Sequence, residues 1–252
     1  MDRFLKTVRL FSTGMNVPPP IEHTPKINEY GELMLANGEL MDSLWLLGWR
    51  HFGPMFVRYS HSTVDVQVPR VAMPLRIILA RFQPSKSHRR ILRKLADYEV
   101  RIIPARIDAT RDALFQLHKQ RFATNPPPSL ESYLGPHPGL TPCETLEVGI
   151  YDKGRLIAAS YLDVGRKAVS SLYAMFHPDF GHLSPGSATT LLEMSYARSR
   201  GCEIYYPGYA FHEPSAFDYK KRFSGVEWFD WRGNWWPLHP PRGAAHPTDS
   251  TL

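Results

Sequence analysis

A chain of 252 residues, 43% hydrophobic and 12% aromatic, carries enough apolar mass for one large domain or two small lobes, which excludes a disordered protein. No apolar run approaches the roughly 20 residues that span a bilayer, and two distant cysteines, Cys143 and Cys202, exclude a disulfide framework and any Cys-x-x-Cys metal site. The net charge of +6 says little alone, but six cations and no acid fall between Arg76 and Arg93, a one-signed block of the kind that attracts phosphates.

The opening stretch to Met15 carries Arg3, Lys6 and Arg9 with no uninterrupted apolar core and no small-residue cleavage site. A secretory signal is therefore not expected, and the reducing cytosol is the expected compartment. Pro18-Pro19-Pro20 and Asn37-Gly38 read as a stop and a turn. Leu40, Leu44 and Leu47 recur at helical spacing and predict a short helix over 39–47, ending at Gly48. Strands are expected at 55–59 and 64–68, the second alternating as Val64, Val66, Val68. A third strand is expected over 74–82. It leads through Pro84-Ser85 into a basic helix from Lys86 to about Ala96, with Ile91, Leu92 and Leu95 inward and Lys86, Arg89, Arg90 and Arg93 outward. On this pattern alone a solvated amphipathic helix and an RNA-contacting one are equally open.

Beyond it, a strand over 100–107 and a helix over 110–122 precede a loop rich in proline: Pro126-Pro127-Pro128, Pro136, Pro138 and Pro142. Strands at 146–151, 156–163 and 168–176 follow, the first two joined by the hairpin signal Asp152-Lys153-Gly154. A Gly/Ser/Pro loop over 179–187, a helix over 188–200 closed by Gly201 and a strand over 203–207 come next. An aromatic tail broken at Arg232-Gly233-Asn234 predicts a closing hairpin. This order resembles the GCN5-related N-acetyltransferase fold, an α+β class with a mixed sheet and helices on both faces. Here it is joined to a smaller N-terminal lobe, with 1–96 carrying the basic helix and 97–252 forming the catalytic lobe. That family offers backbone N–H groups to a pyrophosphate through Q/R-x-x-G-x-G/A, whereas Leu183-Ser184-Pro185-Gly186-Ser187-Ala188 matches only at Gly186 and Ala188. Pro185 has no N–H to give and Leu183 is apolar, so coenzyme A is not expected as donor.

Two segments carry more than fold. Residues 74–90, P-L-R-I-I-L-A-R-F-Q-P-S-K-S-H-R-R, are similar to the hydrophobic strand, F-x-P-S-x-S-Q-R-R and basic helix of the arginyl-tRNA–protein and bacterial leucyl-tRNA–protein transferase family. Phe82, Pro84, Ser85, Ser87, Arg89 and Arg90 fall on that pattern; Lys86 stands for arginine and His88 for glutamine. Residues 204–223 resemble the same family's strand ending in Y-x-G-Y, its turn, and K-M-x-Y-K: Tyr206, Gly208, Tyr209, Tyr219, Lys220 and Phe223 match, while Phe217 replaces the methionine and Ala216 the lysine before it. Tyr173, followed by His177-Pro178-Asp179, resembles the strand before the loop. The likeness covers roughly residues 40–240.

The resemblance implies an aminoacyltransferase that moves arginine or leucine from charged tRNA to the N-terminal α-amine of a protein or peptide, with no cofactor, no metal and no membrane. Hydroxyls and N–H groups at a helix start, backed by guanidinium forks, suit phosphate oxygens; Arg81, Ser85, Lys86, Ser87, Arg89 and Arg90 are the tRNA-binding candidates. Tyr209, Asp218, Tyr219 and Lys220 are the catalytic candidates, with Asp218 or a water as proton acceptor, and Tyr173, Tyr206, Gly208 and Phe217 the substrate-pocket ones. One departure stands out: the family's cysteine cluster ends in a C-x-x-C just before the P-L-R strand, and this chain has Pro69 and Ala72 there. An acyl-CoA-dependent N-acyltransferase of the same fold and a non-catalytic RNA- or protein-binding relative remain as alternatives. Bland readings also stand beside the sharp ones. Tyr206 and Tyr209 could be core aromatics, Lys220 an exposed lysine beside Lys221 and Arg222, and Trp228, Trp231, Trp235 and Trp236 hairpin packing.

Overall fold

The computed structural model describes residues 18–63, 68–122 and 126–239. A three-stranded antiparallel sheet opens the chain, formed by β1 (Asn28–Glu32), β2 (Arg50–Phe52) and β3 (Met55–Tyr59) in the order β1-β3-β2. β1 was not expected in what read as a loose entry. Its side chains are almost all exposed, so no inward-facing apolar row marks it. Helix α1 (Gly38–Leu46) starts where Asn37 accepts the Leu40 N–H at 2.9 Å, so the expected turn is in fact an N-cap. The helix stops before Gly48, whose φ of 81° favours a residue without Cβ. The expected strand over 64–68 lies mostly outside the described residues.

The large sheet has nine strands. β4 (His61–Ser62) pairs with β5 (Arg70–Ile78), and the rest run in the order β12-β11-β5-β10-β9-β8-β7-β6. The remaining strands are β6 (Glu99–Pro104), β7 (Thr145–Asp152), β8 (Arg155–Val164), β9 (Ala168–Phe176), β10 (Ile204–Phe211), β11 (Val226–Phe229) and β12 (Trp235–Pro237). The hairpins at 152–154 and 232–234 form as expected. β5 begins four residues before the expected 74, and Leu79–Arg81 is a helical turn rather than strand: the Leu79 N–H still donates to the Glu203 carbonyl in line with the ladder, but the Phe82 N–H turns back to the Leu79 carbonyl at 3.2 Å. β5 lies inside the large sheet between β10 and β11. The sheet therefore takes strands from both sides of the expected 96/97 boundary.

Helices cover both faces. On one side α5 (Pro185–Ser199) and α2 (Lys86–Lys94) lie over Leu75, Ile77, Leu162, Val169 and Tyr205. On the other, α3 (Ala109–Lys119) and the short α4 (Glu131–Leu134) pack on Tyr151, Ala159, Tyr161 and Met175, while α1 packs on Ala168 and Tyr206. This is the mixed sheet with two helical layers that the segment order predicts. α4 was missed inside the proline-rich loop because four residues are too few to show a period. No helix of the described residues is long and apolar enough to cross a membrane. At the positions where the cysteine pair would stand, Pro69 is exposed and Ala72 is fully buried beside Tyr209, Phe229 and Trp231, with the Trp231 indole N–H donating to the Ala72 carbonyl at 2.7 Å. That donor set cannot hold a metal, and aromatic packing occupies the place of thiolate ligation.

Candidate active site

The one parallel pair among the described strands is β9 with β10, joined through α5. It lasts only three residues, Ile204↔Ala168 to Tyr206↔Ser170. Both strands run on, β9 against β8 and β10 against β5, so they part and open a gap through the sheet. β10 shifts register there between Tyr205 and Gly208; Pro207 in the bulge has no N–H to offer, and Gly208 takes a φ of 86° that strains any L side chain.

Two cations meet at that glycine. A Cβ on Gly208 would lie 3.4 Å from the Arg50 Cζ and 3.5 Å from both Arg50 Nη2 and Lys220 Nζ. Arg50 comes from β2 of the small sheet and spans the Tyr209 and Phe52 rings at 5.3 and 5.6 Å. Lys220 donates to the Tyr209 carbonyl at 3.2 Å and lies 5.0 Å from the Phe217 ring centroid. Loss of hydration first, and the neighbouring guanidinium second, bring the Lys220 amine down to about 7. Such an amine is partly neutral at physiological pH.

Behind it, on α5, Glu193 is 1% exposed. The Tyr205 hydroxyl donates to its Oε2 at 2.5 Å, while Oε1 and the nearby Ser160 hydroxyl have no hydrogen-bond partner. Burial pushes the Glu193 carboxyl up to about 7, and its charge in turn favours the protonated form of Lys220. The Tyr219 ring lies 3.5 Å from where a Cβ on Gly186 would stand, at the first turn of α5; burial raises its phenol to about 12, so it keeps its proton. Pro185 is the first residue of that helix, where a missing N–H costs nothing.

The gap continues into an aromatic wall. Phe52 meets Tyr133 edge-on at 5.7 Å, Tyr133 stacks on Tyr173 at 4.1 Å, and Phe115 and His118 close around Tyr173. The Tyr173 hydroxyl is buried without a partner.

Of the expected residues, Tyr173, Gly208, Tyr209, Phe217, Tyr219 and Lys220 thus lie along one gap. Tyr209 enters it through its ring and carbonyl, since its buried hydroxyl donates to the Gly48 carbonyl. Tyr206 lies in the core between Trp45 and Trp235. Asp218 sits apart as a turn residue: its carboxylate accepts from Ser215 and pairs with Lys221 at 2.9 Å, and that contact holds it below the usual carboxylate range. A carboxylate made less basic is a poor proton acceptor. Sequence reading passed over Arg50, Tyr133, Glu193 and Tyr205. Glu193 left a signal, a lone acid between Leu191, Leu192 and Met194; Arg50 left none.

The basic helix keeps its cations outward. Lys86, Arg89, Arg90 and Arg93 are exposed, whereas Arg76 and Arg81 both bind Glu227, at 2.7 and 3.0 Å, so these two share one carboxylate. Ser85 caps α2 by accepting the His88 N–H, and the His88 ring accepts the Ser85 N–H in return while stacking on Phe223 at 4.6 Å. Leu92 is exposed rather than inward, because the apolar face is only as wide as Ile91 and Leu95. Trp231, Trp235 and Trp236 each spend the indole N–H inside the protein. His51, Cys143 and Asp163 bring donor atoms within 4.8 Å of one another. His51 is already bound to Gly53 and Asp163, and Asp163 to Thr145, so hydrogen bonds satisfy the cluster.

Residues 108–230 match the family model described as "Arginine-tRNA-protein transferase, C terminus". The chain is 31% identical over 195 residues to the aspartate/glutamate leucyltransferase of Halorhodospira halophila, covering 74% of this chain and 78% of that one. It is 28% identical over 193 residues to the enzyme of the same name from Marinobacter nauticus, covering 75% and 78%. Among solved structures, L-PGS from Bacillus licheniformis aligns with a TM-score of 0.44 at 11% identity, over 70% of this chain and about half (51%) of that one.

Proposed function

This chain belongs to the aminoacyl-tRNA–protein transferase family, and from that premise we propose that Lys220 is its proton acceptor as an amino acid passes from charged tRNA to an N-terminal α-amine. The named relatives make leucine the donor to test first. In the reaction, the α-amine attacks the ester carbonyl on the terminal ribose, a C–N bond forms, and the C–O bond to the ribose breaks. The amine must shed a proton and the ribose oxygen must gain one. The neutral Lys220 amine takes the first and returns it to the second. Tyr219, which stays protonated, donates to the oxyanion beside the positive end of α5.

The observation that carries this reading is the Lys220 amine, held by the Tyr209 carbonyl at 3.2 Å with no carboxylate paired to it among the described residues. A pKa near the working pH suits a group that must both accept and release a proton. Asp218, tied to Lys221, serves the turn that aims Tyr219 and Lys220. The RNA end is held by the exposed cations of α2, Lys86, Arg89 and Arg90, and by the hydroxyls of Ser85 and Ser87, with Arg81 contributing only what Glu227 leaves free. The aromatic wall of Tyr133 and Tyr173 lies nearest to where the donated side chain would rest, and Phe217 lines the gap beside Lys220. The test is transfer of labelled leucine and arginine from their tRNAs to peptides by wild type and Lys220→Met. Transfer by the wild type and its loss in the variant support the reading; an acetylated product from acetyl-CoA instead would replace it.

A further inference from the structure

The register of the small sheet sets its side chains in rows that run outward from the gap. Arg50 faces Val57, which faces Tyr30, and Phe52 faces Met55, which faces Glu32. Cross-strand partners share one face of a sheet, and the residues between them, His51 and Phe56, are buried on the other. At its β2 end the first face rests on the gap: Arg50 lies 5.3 Å from the Tyr209 ring, and Phe52 meets Tyr133 edge-on at 5.7 Å. Towards β1 it opens to solvent. Met55 is 44% exposed, and Tyr30, at 77%, is the most exposed large apolar side chain of the described residues. An apolar face of this kind is a place for another molecule to bind.

We propose that this face carries the acceptor polypeptide beyond its first residue, so that apolar side chains at the acceptor's second and third positions are preferred. This rests on the transfer reading above, which sets the α-amine at Lys220. Arg50 Nη2 and Lys220 Nζ each lie 3.5 Å from one point over Gly208, so the rows begin where the α-amine reacts. Neighbouring strands lie about 4.8 Å apart, so from β2 across β3 to β1 the face spans about 10 Å, roughly three residues of extended chain. The charges favour a polypeptide over the RNA end. Beyond Arg50 the two rows hold no cation, and Glu32 at their outer end repels phosphate. The exposed cations of α2 stand beside α5 on the opposite face of the large sheet from Phe56 and α1. The two substrates thus approach the gap from opposite faces of the large sheet, the RNA end past α2 and the polypeptide across the small sheet. Met55 is flexible and polarizable, so the face accommodates varied apolar side chains rather than one fixed sequence.

The test uses the full chain and matched peptides that share their first residue and carry either Leu-Phe or Gly-Ser at the second and third positions. Peptide binding is measured without tRNA, and steady-state transfer with charged tRNA, with melting and sedimentation monitored. The proteins are wild type, the double variant Tyr30→Ser with Met55→Ser, and the control Val100→Ser, an exposed position on β6 at the far edge of the large sheet. Wild type and control are expected to bind the Leu-Phe peptide about tenfold more tightly than the Gly-Ser peptide. The gain should fall in KM rather than kcat, because the contact is the same before and during the reaction. In the double variant the ratio should drop to near unity while melting holds, since both side chains are exposed. Two outcomes overturn the inference: equal binding of the two peptides by wild type, or a preference that survives in the double variant. A wild-type dimer that the double variant dissolves, with the peptide ratio intact, would assign the face to a second copy of the chain and overturn it as well. A Leu-Phe preference in binding that depends on Tyr30 and Met55, without any transfer, would uphold the surface and strike the transfer reading instead.

Discussion

Two buried charge clusters sit on opposite faces of the same sheet, and they are built differently. Around Arg111 every charge is paired, although the Tyr161 hydroxyl nearby has no partner: the guanidinium grips both oxygens of Glu147 at 2.5 and 2.6 Å and Asp108 at 2.6 Å, and Asp108 also caps α3. Around Lys220 the contacts stay open. Glu193 has an unpartnered oxygen, Ser160 an unpartnered hydroxyl, and Lys220 and Arg50 no carboxylate among the described residues. The first cluster joins a helix to a sheet. The second leaves unmatched groups along a gap between parting strands, which is where a substrate can complete them.

That contrast can be broken by substitution. Lys220→Met should lower single-turnover transfer by about a hundredfold or more while leaving the melting transition in place. Asp218→Asn should cost far less, since its carboxylate serves Lys221 and Ser215. Glu147→Ala should do the reverse of Lys220→Met, costing about 3 kcal/mol of stability in denaturant unfolding by leaving a buried guanidinium with only the partly exposed Asp108. Full stability in that variant would erase the distinction between the clusters.

Glu193→Gln sharpens it further. The folded carboxyl titrates near 7 against an ordinary value of 4.5, so the stability it contributes is present below 4.5 and is lost as pH rises through 7. The variant should flatten that fall, on the order of 3 kcal/mol, in melts taken between pH 4 and 8. A smaller effect belongs to the surface. Replacing Arg89 and Arg90 with alanine should weaken tRNA binding and flatten its salt dependence, with the log–log slope falling by about 0.7 for each single-stranded phosphate no longer neutralised. Stability should move by less than about 1 kcal/mol. Unchanged affinity at two salt concentrations would remove α2 from the RNA interface.

Most strands were legible because their period of two is local: β7, β8 and β9 fall within a residue or two of expectation. β1 and α4 were not, one exposed along its length and the other only four residues long. The candidate site was legible where motif residues are close in sequence, as from Gly208 to Lys220. Arg50 and Glu193 meet Lys220 from more than 25 residues away, and only the parting of β9 from β10 brings them together. Asp218 misled for the opposite reason. Its place in the motif drew attention, while its partner Lys221, three residues on, had already taken its charge.

The most direct measurement is the pH dependence of single-turnover transfer in wild type and in Glu193→Gln, with the same peptide and charged tRNA. If Lys220 accepts the proton, the wild-type rate climbs through a limb near pH 7. That limb moves to lower pH in Glu193→Gln, because the carboxylate that favours protonated Lys220 is gone. A limb that stays fixed would report the acceptor's own α-amine, and together with normal transfer by Lys220→Met it would contradict the assignment.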